Sequence, residues 1–334
     1  MESPFTGGLA TLKTELRELA FRKEPFEIAY HYYLCEDTGE QFTTDALDEL
    51  NTAQVHNLYR EKHSIPFPEE MCKIRKKYEL SARKMSLILE FGENQYNKYE
   101  NGAIPSTSNA RLIQAAEDPE EFRKLLKASD VFQNEKLEGK LEFIDRLVYE
   151  ESRLPKLSPT EFLLGSRKPT EYNGFREPDL EKTMQMILFF AEKLNPWETG
   201  MNKLMFYSDF SFFKKNCFSI SGIEYRAIKF GPVPKKYAAL FEEAEEQGYI
   251  NVQFDKTRYE NTLCKQFLPG KKSFDENLFS TEEFQALKNV AGYFAGKNTS
   301  EISDTSHEED AWLENIGKRQ LISYSYAFGL KALN

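Results

Sequence analysis

Residues 201 to 215 run Met-Asn-Lys-Leu-Met-Phe-Tyr-Ser-Asp-Phe-Ser-Phe-Phe-Lys-Lys and are apolar on nearly every side of a helix. Such a helix has no face for water and must be wrapped by other elements, so it belongs at the centre of a core. It is shorter than the roughly 18 to 20 uninterrupted apolar residues of a membrane span, and no other stretch reaches that length. The wrapping is visible around it. Leu180, Met184, Ile187, Leu188, Ala191 and Leu194 recur with helical spacing until Asn195-Pro196 stops the helix. Tyr237, Leu240, Phe241 and Ala244 share one face of another helix that ends at Gly248, and Ile250, Val252 and Phe254 then alternate as a strand. Leu263 to Leu268 can pair with that strand as a hairpin. Ser280 with Glu283, and Ser306 with Glu309, have the spacing of capping boxes, each expected to open a further helix.

At 334 residues the chain is too long for one ordinary core, and two or three compact units are expected. Hydrophobic residues at 40% and charged residues at 29% give a globular balance, and 14% aromatics supply ample core material. Glu2 and Pro4 stand where a signal peptide would carry basic and then apolar residues, so a cytoplasmic protein without a membrane partner is expected. Cys35, Cys72, Cys217 and Cys264 lie far apart, without the paired spacing of a disulfide framework or a zinc cluster. A net charge of −10 argues against a surface that coats nucleic acid as a whole. It leaves room for one basic module in an acidic body.

Towards the N-terminus the period changes. Leu19 and Phe21 alternate with polar neighbours, and after a turn at Arg22 to Pro25 the residues Phe26, Ile28, Tyr30, Tyr32 and Leu34 repeat at every second position, as in a hairpin. Thr44 to Lys62 reads as a helix, and Pro66 and Pro68 open a new element, which places a boundary near residue 66. Five short helices follow between 68 and 128, the last capped by Asp118 with Glu121 spaced to close a capping box. Residues 129 to 170 form a polar connector with one helix at 135 to 152 and a loop from Leu154-Pro155 to Pro169. A second globular unit begins near Glu177-Pro178.

The segment from Ile74 through Leu80, Ser81, Met85, Ile88, Leu89 and Tyr96 to Tyr99-Glu100-Asn101-Gly102 and Ile104-Pro105-Ser106 resembles the Cro/repressor-type helix-turn-helix. The resemblance implies that Ser81 caps the second helix, that Glu90 to Gly92 makes the turn, and that Glu93 to Asn101 is the helix entering a major groove. Asn94, Gln95, Asn97 and Lys98 are its outward candidates. The amides can pair bidentately with adenine, and the lysine can donate to guanine or phosphate. Lys73, Arg75, Lys76, Lys77, Arg83 and Lys84 supply positive charge for phosphates, although a charge run taken alone is more often a solvated helix face. Tyr96 and Tyr99 fall at buried positions of the pattern and are expected in the core. Operator DNA bound by a homodimer or higher oligomer is the implied partner arrangement.

Ahead of this module, Ser3-Pro4-Phe5-Thr6-Gly7 and Cys35-Glu36-Asp37-Thr38-Gly39-Glu40 resemble the two Cys-x-x-Cys-Gly knuckles of the MqsA/YgiT-like antitoxins, with three of the four thiolates missing. Serine and threonine hydroxyls do not replace thiolates on zinc at neutral pH, so no metal is expected. His31, near Cys35, is read as an ordinary core or surface residue.

Asn202-Lys203-Leu204-Met205-Phe206-Tyr207-Ser208-Asp209-Phe210 and the run from Ser221-Gly222 through Tyr225 to Phe230-Gly231-Pro232-Val233-Pro234 resemble the signature of the Panacea (SocA-like) domain over roughly residues 171 to 334. That resemblance implies direct binding of a cognate protein toxin, through residues that the sequence leaves unknown. Gly231 to Pro234 is expected to be a rigid turn that starts a helix, and Phe206, Tyr207, Phe210, Phe212 and Phe213 are expected in the core.

The fold class is therefore mainly α with α+β parts. It comprises a small β-rich degenerate zinc-knuckle unit over 1–66, a five-helix helix-turn-helix domain over 67–128, the connector over 129–170 and a helix-dominated α+β Panacea domain over 171–334. Catalysis is not expected. His31, His56, His63 and His307 lack metal-ligand spacing, and no P-loop, dinucleotide fingerprint or nucleophile elbow is present. No cofactor is implied. The expected function is an antitoxin that neutralises its toxin and represses its own operon; the alternatives are a ligand-sensing regulator and an adaptor that delivers a client to a protease.

Overall fold

The computed structural model describes residues 1–134, 138–151, 159–256, 263–318 and 320–333. The chain is mixed α and β, and no helix among the described residues is long and apolar enough to cross a membrane. Two compact units form. One combines Met1–Val55 with Pro159–Asn334 and the other is His56–Ser158. The first 55 residues thus group with the C-terminal segment.

The first unit opens with a hairpin of β1 (Ala10–Phe21) and β2 (Glu24–Cys35), and β3 (Gln41–Phe42) adds a short third strand in the order β1-β2-β3. Arg22 and Lys23 make the turn with φ of 49° and 70°, the left-handed pair that a two-residue hairpin matching the strand twist requires. Helix α1 (Asp45–His63) covers the edge of β2 that β3 leaves open. The Asn51 side chain accepts from His31 N at 2.8 Å and donates to His31 O at 2.9 Å, and Gln54 does the same for Ala29 at 3.0 and 2.8 Å. Two side-chain amides stand in for a neighbouring strand and leave no bare edge there. His31 is buried, with its ring 5.1 Å from that of Phe328, and burial lowers its imidazole pKa. The Cys217 thiol points at Leu50 O. These contacts tie the hairpin to the C-terminal segment.

The two knuckle-like segments fold as twin turns. Gly7 N donates to Ser3 O and Gly39 N to Cys35 O, both at 2.9 Å, and both glycines have φ of 73°. Ser3 N reaches Gly8 O as Cys35 N reaches Glu40 O. The turns face each other across Cys35, whose thiol is bonded by the Ser3, Thr38 and Thr6 hydroxyls and is held down to about 6, with the Ser3 contact the largest cause. Cys35 is buried. Backbone and hydroxyl bonds hold the two turns. Among the described residues no group of three His, Cys, Asp or Glu side chains is placed to hold one. Elemental analysis of the purified protein is expected to find no stoichiometric zinc. A full equivalent per chain would overturn this and draw Cys35 and His31 into ligand roles.

The second unit is helical: α2 (Pro68–Lys77), α3 (Ala82–Ile88), α4 (Gln95–Glu100), α5 (Thr107–Ala115), α6 (Pro119–Ala128), α7 (Asp130–Asn134) and α8 (Glu138–Glu151). Ser81, Ser106 and Asp118 accept from the exposed backbone donors of α3, α5 and α6, as their side chains allow. The box expected from Glu121 does not close. Its carboxylate turns outward to Lys124, one helical turn on, at 2.7 Å, where a charged partner replaces a neutral amide. The core gathers Met71, Ile74, Tyr78, Met85, Ile88, Tyr96, Tyr99, Ile113, Phe122 and Leu126. Both fully buried tyrosine hydroxyls are satisfied, Tyr78 on Ala116 O and Tyr96 on Met71 O, each at 2.8 Å. Leu154-Pro155 lies outside the described residues.

The rest of the first unit is built on α11 (Glu198–Asn216), with α9 (Pro159–Leu164) and α10 (Leu180–Leu194) before it. After it come β4 (Tyr225–Ile228), β5 (Gly231–Pro234), α12 (Tyr237–Glu246), β6 (Ile250–Lys256), β7 (Leu263–Pro269), α13 (Thr281–Phe294), α14 (Thr299–His307), α15 (Asp310–Leu313) and a 3-10 turn at Tyr324–Gly329. Helices α10, α13 and α14, strands β5 and β7 and the 3-10 turn pack around α11, whose Phe206, Tyr207, Phe210, Phe212 and Phe213 are buried.

Two expectations need correction. Gly231 to Pro234 is a buried strand paired with β4, and the turn lies at Lys229-Phe230. Lys235 N donates to Glu224 O, which sets the pairing phase so that Pro232 and Pro234 face away from β4 and cost no ladder bond. Ser306 does not open a helix. It sits buried in the last turn of α14, bonded to Ser303 O, and α14 is capped by Asn298 with Glu301 instead. Glu309 is taken up by bonds from the C-terminal tail.

Candidate functional site

In the helical unit, α3 and α4 are joined through Glu90, with φ of 57°, and Gly92. The start of α4 is fixed to α3 by Tyr96 N donating to the Ser86 hydroxyl at 2.8 Å. Its end is fixed to α2 by a two-pronged ion pair, Arg75 Nε to Glu100 Oε1 at 2.6 Å and Nη2 to Oε2 at 3.2 Å, while Arg75 Nη1 donates to Leu80 O. Arg75 was expected to face phosphates. The structure spends its guanidinium internally, because three helix ends meet there and need a planar donor.

Asn94, Asn97 and Lys98 are exposed along α4, and Gln95 is half-buried. Arg83 and Lys84 lie at the start of α3, with Arg83 reaching the exposed Glu93 at 3.0 Å, a pair that water screens and an anion could displace. Lys76 is exposed on α2. Lys77 departs from this group, since its ammonium is bonded to Glu117 O at 2.8 Å and to Glu151 of α8 at 2.5 Å.

In the other unit the motif residues converge on α11. Asp209 is wholly buried and accepts from Ile220 N, Ser221 N and Tyr225 OH at 2.8 Å and from Ser221 Oγ at 2.5 Å. Burial raises its carboxyl above the usual value, against the pull of the Ser221, Tyr225 and Ile220 donors. Lys203 is also fully buried. Its ammonium donates to Pro232 O at 3.2 Å, and burial brings it down to about 7. Gly231, with φ of 102°, lies against it. A Cβ there would stand 2.4 Å from Lys203 Cε and 2.5 Å from Ser306 Oγ, so only glycine fits. Trp312 stacks on His307 at 4.1 Å and donates to Ile228 O, holding α15 to β4.

Two further acidic residues anchor this core. Glu309 accepts from Tyr207 OH at 3.1 Å and from the Lys331 and Ala332 amides. Glu283 closes its capping box on Ser280 and also meets Arg176 at 2.5 Å and Lys182 at 2.9 Å while almost fully buried. The serine-glutamate spacing announced the cap; nothing announced the cations, which come from 101 and 107 residues away.

A cleft of about 250 Å³ is lined by Glu161, Phe162, Leu163, Gly165, Ser166, Glu224, Lys235 and Lys236. Within it Glu224 is matched with Lys235 at 2.7 Å and with Ser166 N.

Residues 201–313 match the family model for the antitoxin SocA-like Panacea domain. The matched stretch starts within α11, ends with α15 and covers about a third of the chain. It supports an antitoxin role for this part of the protein. No curated protein and no solved structure matches the chain.

The Glu283 triad makes stability depend on pH in a definite direction. Burial alone would push its carboxyl up, but Lys182 and Arg176 outweigh burial and hold it below the ordinary carboxylate range. Its stabilisation is therefore fully present above the unfolded value of about 4.3 and is lost as pH falls through the lower folded value. Glu283→Gln should cost roughly 1.5 to 3 kcal/mol at neutral pH, since it removes the buried carboxylate that the half-buried Arg176 and Lys182 share, and should flatten the acid limb of the urea-unfolding profile. A variant with the parent's stability across that range would show that the triad contributes nothing.

Proposed function

We propose that the chain is an antitoxin that neutralises a cognate protein toxin by direct binding through the Panacea-bearing segment over 171–334. It represses its own operon through the helix-turn-helix over 67–128, bound to operator DNA as a homodimer or higher oligomer. The family match at 201–313 carries the reading. The DNA part is supported by the short α4 pinned at both ends, with Asn94, Asn97 and Lys98 outward and Arg83, Lys84 and Lys76 on neighbouring helices. The twin turns at Ser3–Gly7 and Cys35–Gly39 fit an MqsA/YgiT-like N-terminal region that has kept its shape after losing its thiolates. A ligand-sensing regulator draws no support from the cleft at Glu224, where the Glu224 carboxylate is already matched by Lys235. An adaptor would share the client-binding surface and differ in needing a protease.

The test is co-expression of the full chain with a toxin encoded beside it, combined with footprinting of its own promoter. Half-sites about one helical turn, ~34 to 36 Å, apart are expected. Replacing Gln95 and Asn97 with alanine should relax sequence preference by about 1 to 3 kcal/mol per lost contact while rescue of growth is unchanged. Lys76→Ala should weaken all sequences alike, and Lys77→Ala should weaken them less, because its ammonium is already engaged. An unchanged footprint after the Gln95 and Asn97 replacements would sink the placement of the recognition helix; absence of rescue by the full chain would sink the antitoxin reading.

A further inference from the structure

Strand β1 is an edge strand twelve residues long, bonded to β2 on one side only. The direction in which its backbone groups point follows from bonds made elsewhere. On β2, both backbone groups of Ala29 and of His31 are taken by Gln54 and Asn51, and Cys35 N is taken by Glu40 O. Odd-numbered residues of β2 therefore face away from β1, and even-numbered ones face it. The register pairs Ile28 with Arg17, Tyr30 with Glu15 and Tyr32 with Lys13, so β1 bonds its neighbour through odd-numbered residues and turns the even-numbered ones outward. Ala10 agrees with this phase, since its outward groups are closed by Met1, Ala10 N on Met1 O at 2.8 Å and the Met1 amine on Ala10 O at 3.0 Å. Beyond it, the outward backbone groups of Leu12, Thr14, Leu16, Glu18 and Ala20 meet no partner among the described residues. The side chains of the same residues are exposed, Leu16 by 73%.

We propose that this edge is an interface between two copies of the chain, β1 pairing antiparallel with β1 of the second copy about a twofold axis at Leu16. An isologous contact needs a surface complementary to itself, and the free groups from Leu12 to Ala20 are symmetric about Leu16, with the blocked Ala10 just outside. In this register Leu16 opposes Leu16, Leu12 opposes Ala20 and Thr14 opposes Glu18, while on the other face Glu15 opposes Arg17. Charge selects it over its neighbours. Centring on Glu15 sets Glu15 against Glu15 and Lys13 against Arg17, and centring on Arg17 sets Arg17 against itself, both destabilising. Centring on Thr14 opposes Glu18 to the closed groups of Ala10. A long edge with a leucine at its middle, and neither proline nor bulge to blunt it, is the kind that a second strand covers. The inference goes beyond the antitoxin reading and does not depend on it.

Sedimentation equilibrium of the full chain without DNA tests it, with twice the 38.9 kDa chain mass expected. Leu16→Pro removes the central outward N–H but no bond to β2, because those are made by odd-numbered residues, so this variant should sediment as single chains. Arg17→Glu places like charges opposite one another twice by symmetry and should weaken the dimer roughly tenfold; because it also breaks the Arg17–Glu15 pair within each chain, circular dichroism is followed in parallel and should show the hairpin unchanged. A wild-type chain at single mass throughout, or a dimer indifferent to Leu16→Pro and Arg17→Glu alike, overturns the proposal. So does hydrogen exchange in which the Leu12, Leu16 and Ala20 amides are slow only when a toxin is present, since the edge would then receive a client strand.

Discussion

The carboxylate of Asp209 is the constraint around which the C-terminal segment is arranged. A buried carboxyl is tolerated only when several donors surround it, and Asp209 finds them on the loop at Ile220 and Ser221 and at Tyr225, the first residue of β4. That loop is thereby fixed to the middle of α11 before β4 begins. Tyr225 then carries the order outward, with its carbonyl accepting from Ile322 N and its ring set edge-on to Phe206 and Phe210. Tyr324 stacks on Phe210 and donates to Ile223 O, so the chain end returns to the same loop. One buried carboxyl thus commits the loop, the first strand of a two-stranded sheet and the C-terminal turn to a single helix.

Lys203 acts in the same way on another side of α11, as six positions on a helix of ~3.6 residues per turn require. Its ammonium meets a carbonyl, Pro232 O, and no carboxylate, which is why burial lowers it so far. The carbonyl is free to receive it because the prolines of β5 face away from β4. The Lys203 helix and the Gly231-Pro232 segment, far apart in sequence, are therefore one structural device. Gly231 is part of it, since any side chain there would occupy the place of the lysine.

What could be read from the sequence was what depends on neighbours along the chain. The period of two in β2, the all-round apolarity of α11, the caps at Ser81, Asp118 and Ser280 and the stop at Asn195 follow from local geometry and appear where expected. What could not be read depends on partners brought from a distance. Asn51 and Gln54 are unremarkable polar positions on a helix until β2 lies beside them; Arg75 looks like one more cation in a basic run until Glu100 arrives; Gly231 to Pro234 reads as a turn because proline is rarely found in a strand. Ser306 and Glu309 match a capping box in spacing and fail because both are buried on packing contacts that outweigh a cap.

The same distinction bears on where a protein partner can be recognised. Lys203, Asp209, Tyr225, Gly231 and Glu309, all within the matched stretch, are buried or committed to internal bonds. Residues that hold a fold together cannot also vary with the partner, because each substitution would strand a buried donor or acceptor. Phe230 at the β4–β5 turn and Leu313 on α15 are exposed between them and can change without disturbing the bonds beneath. A scaffold fixed by a few buried polar groups thus leaves its exposed residues free of structural duty.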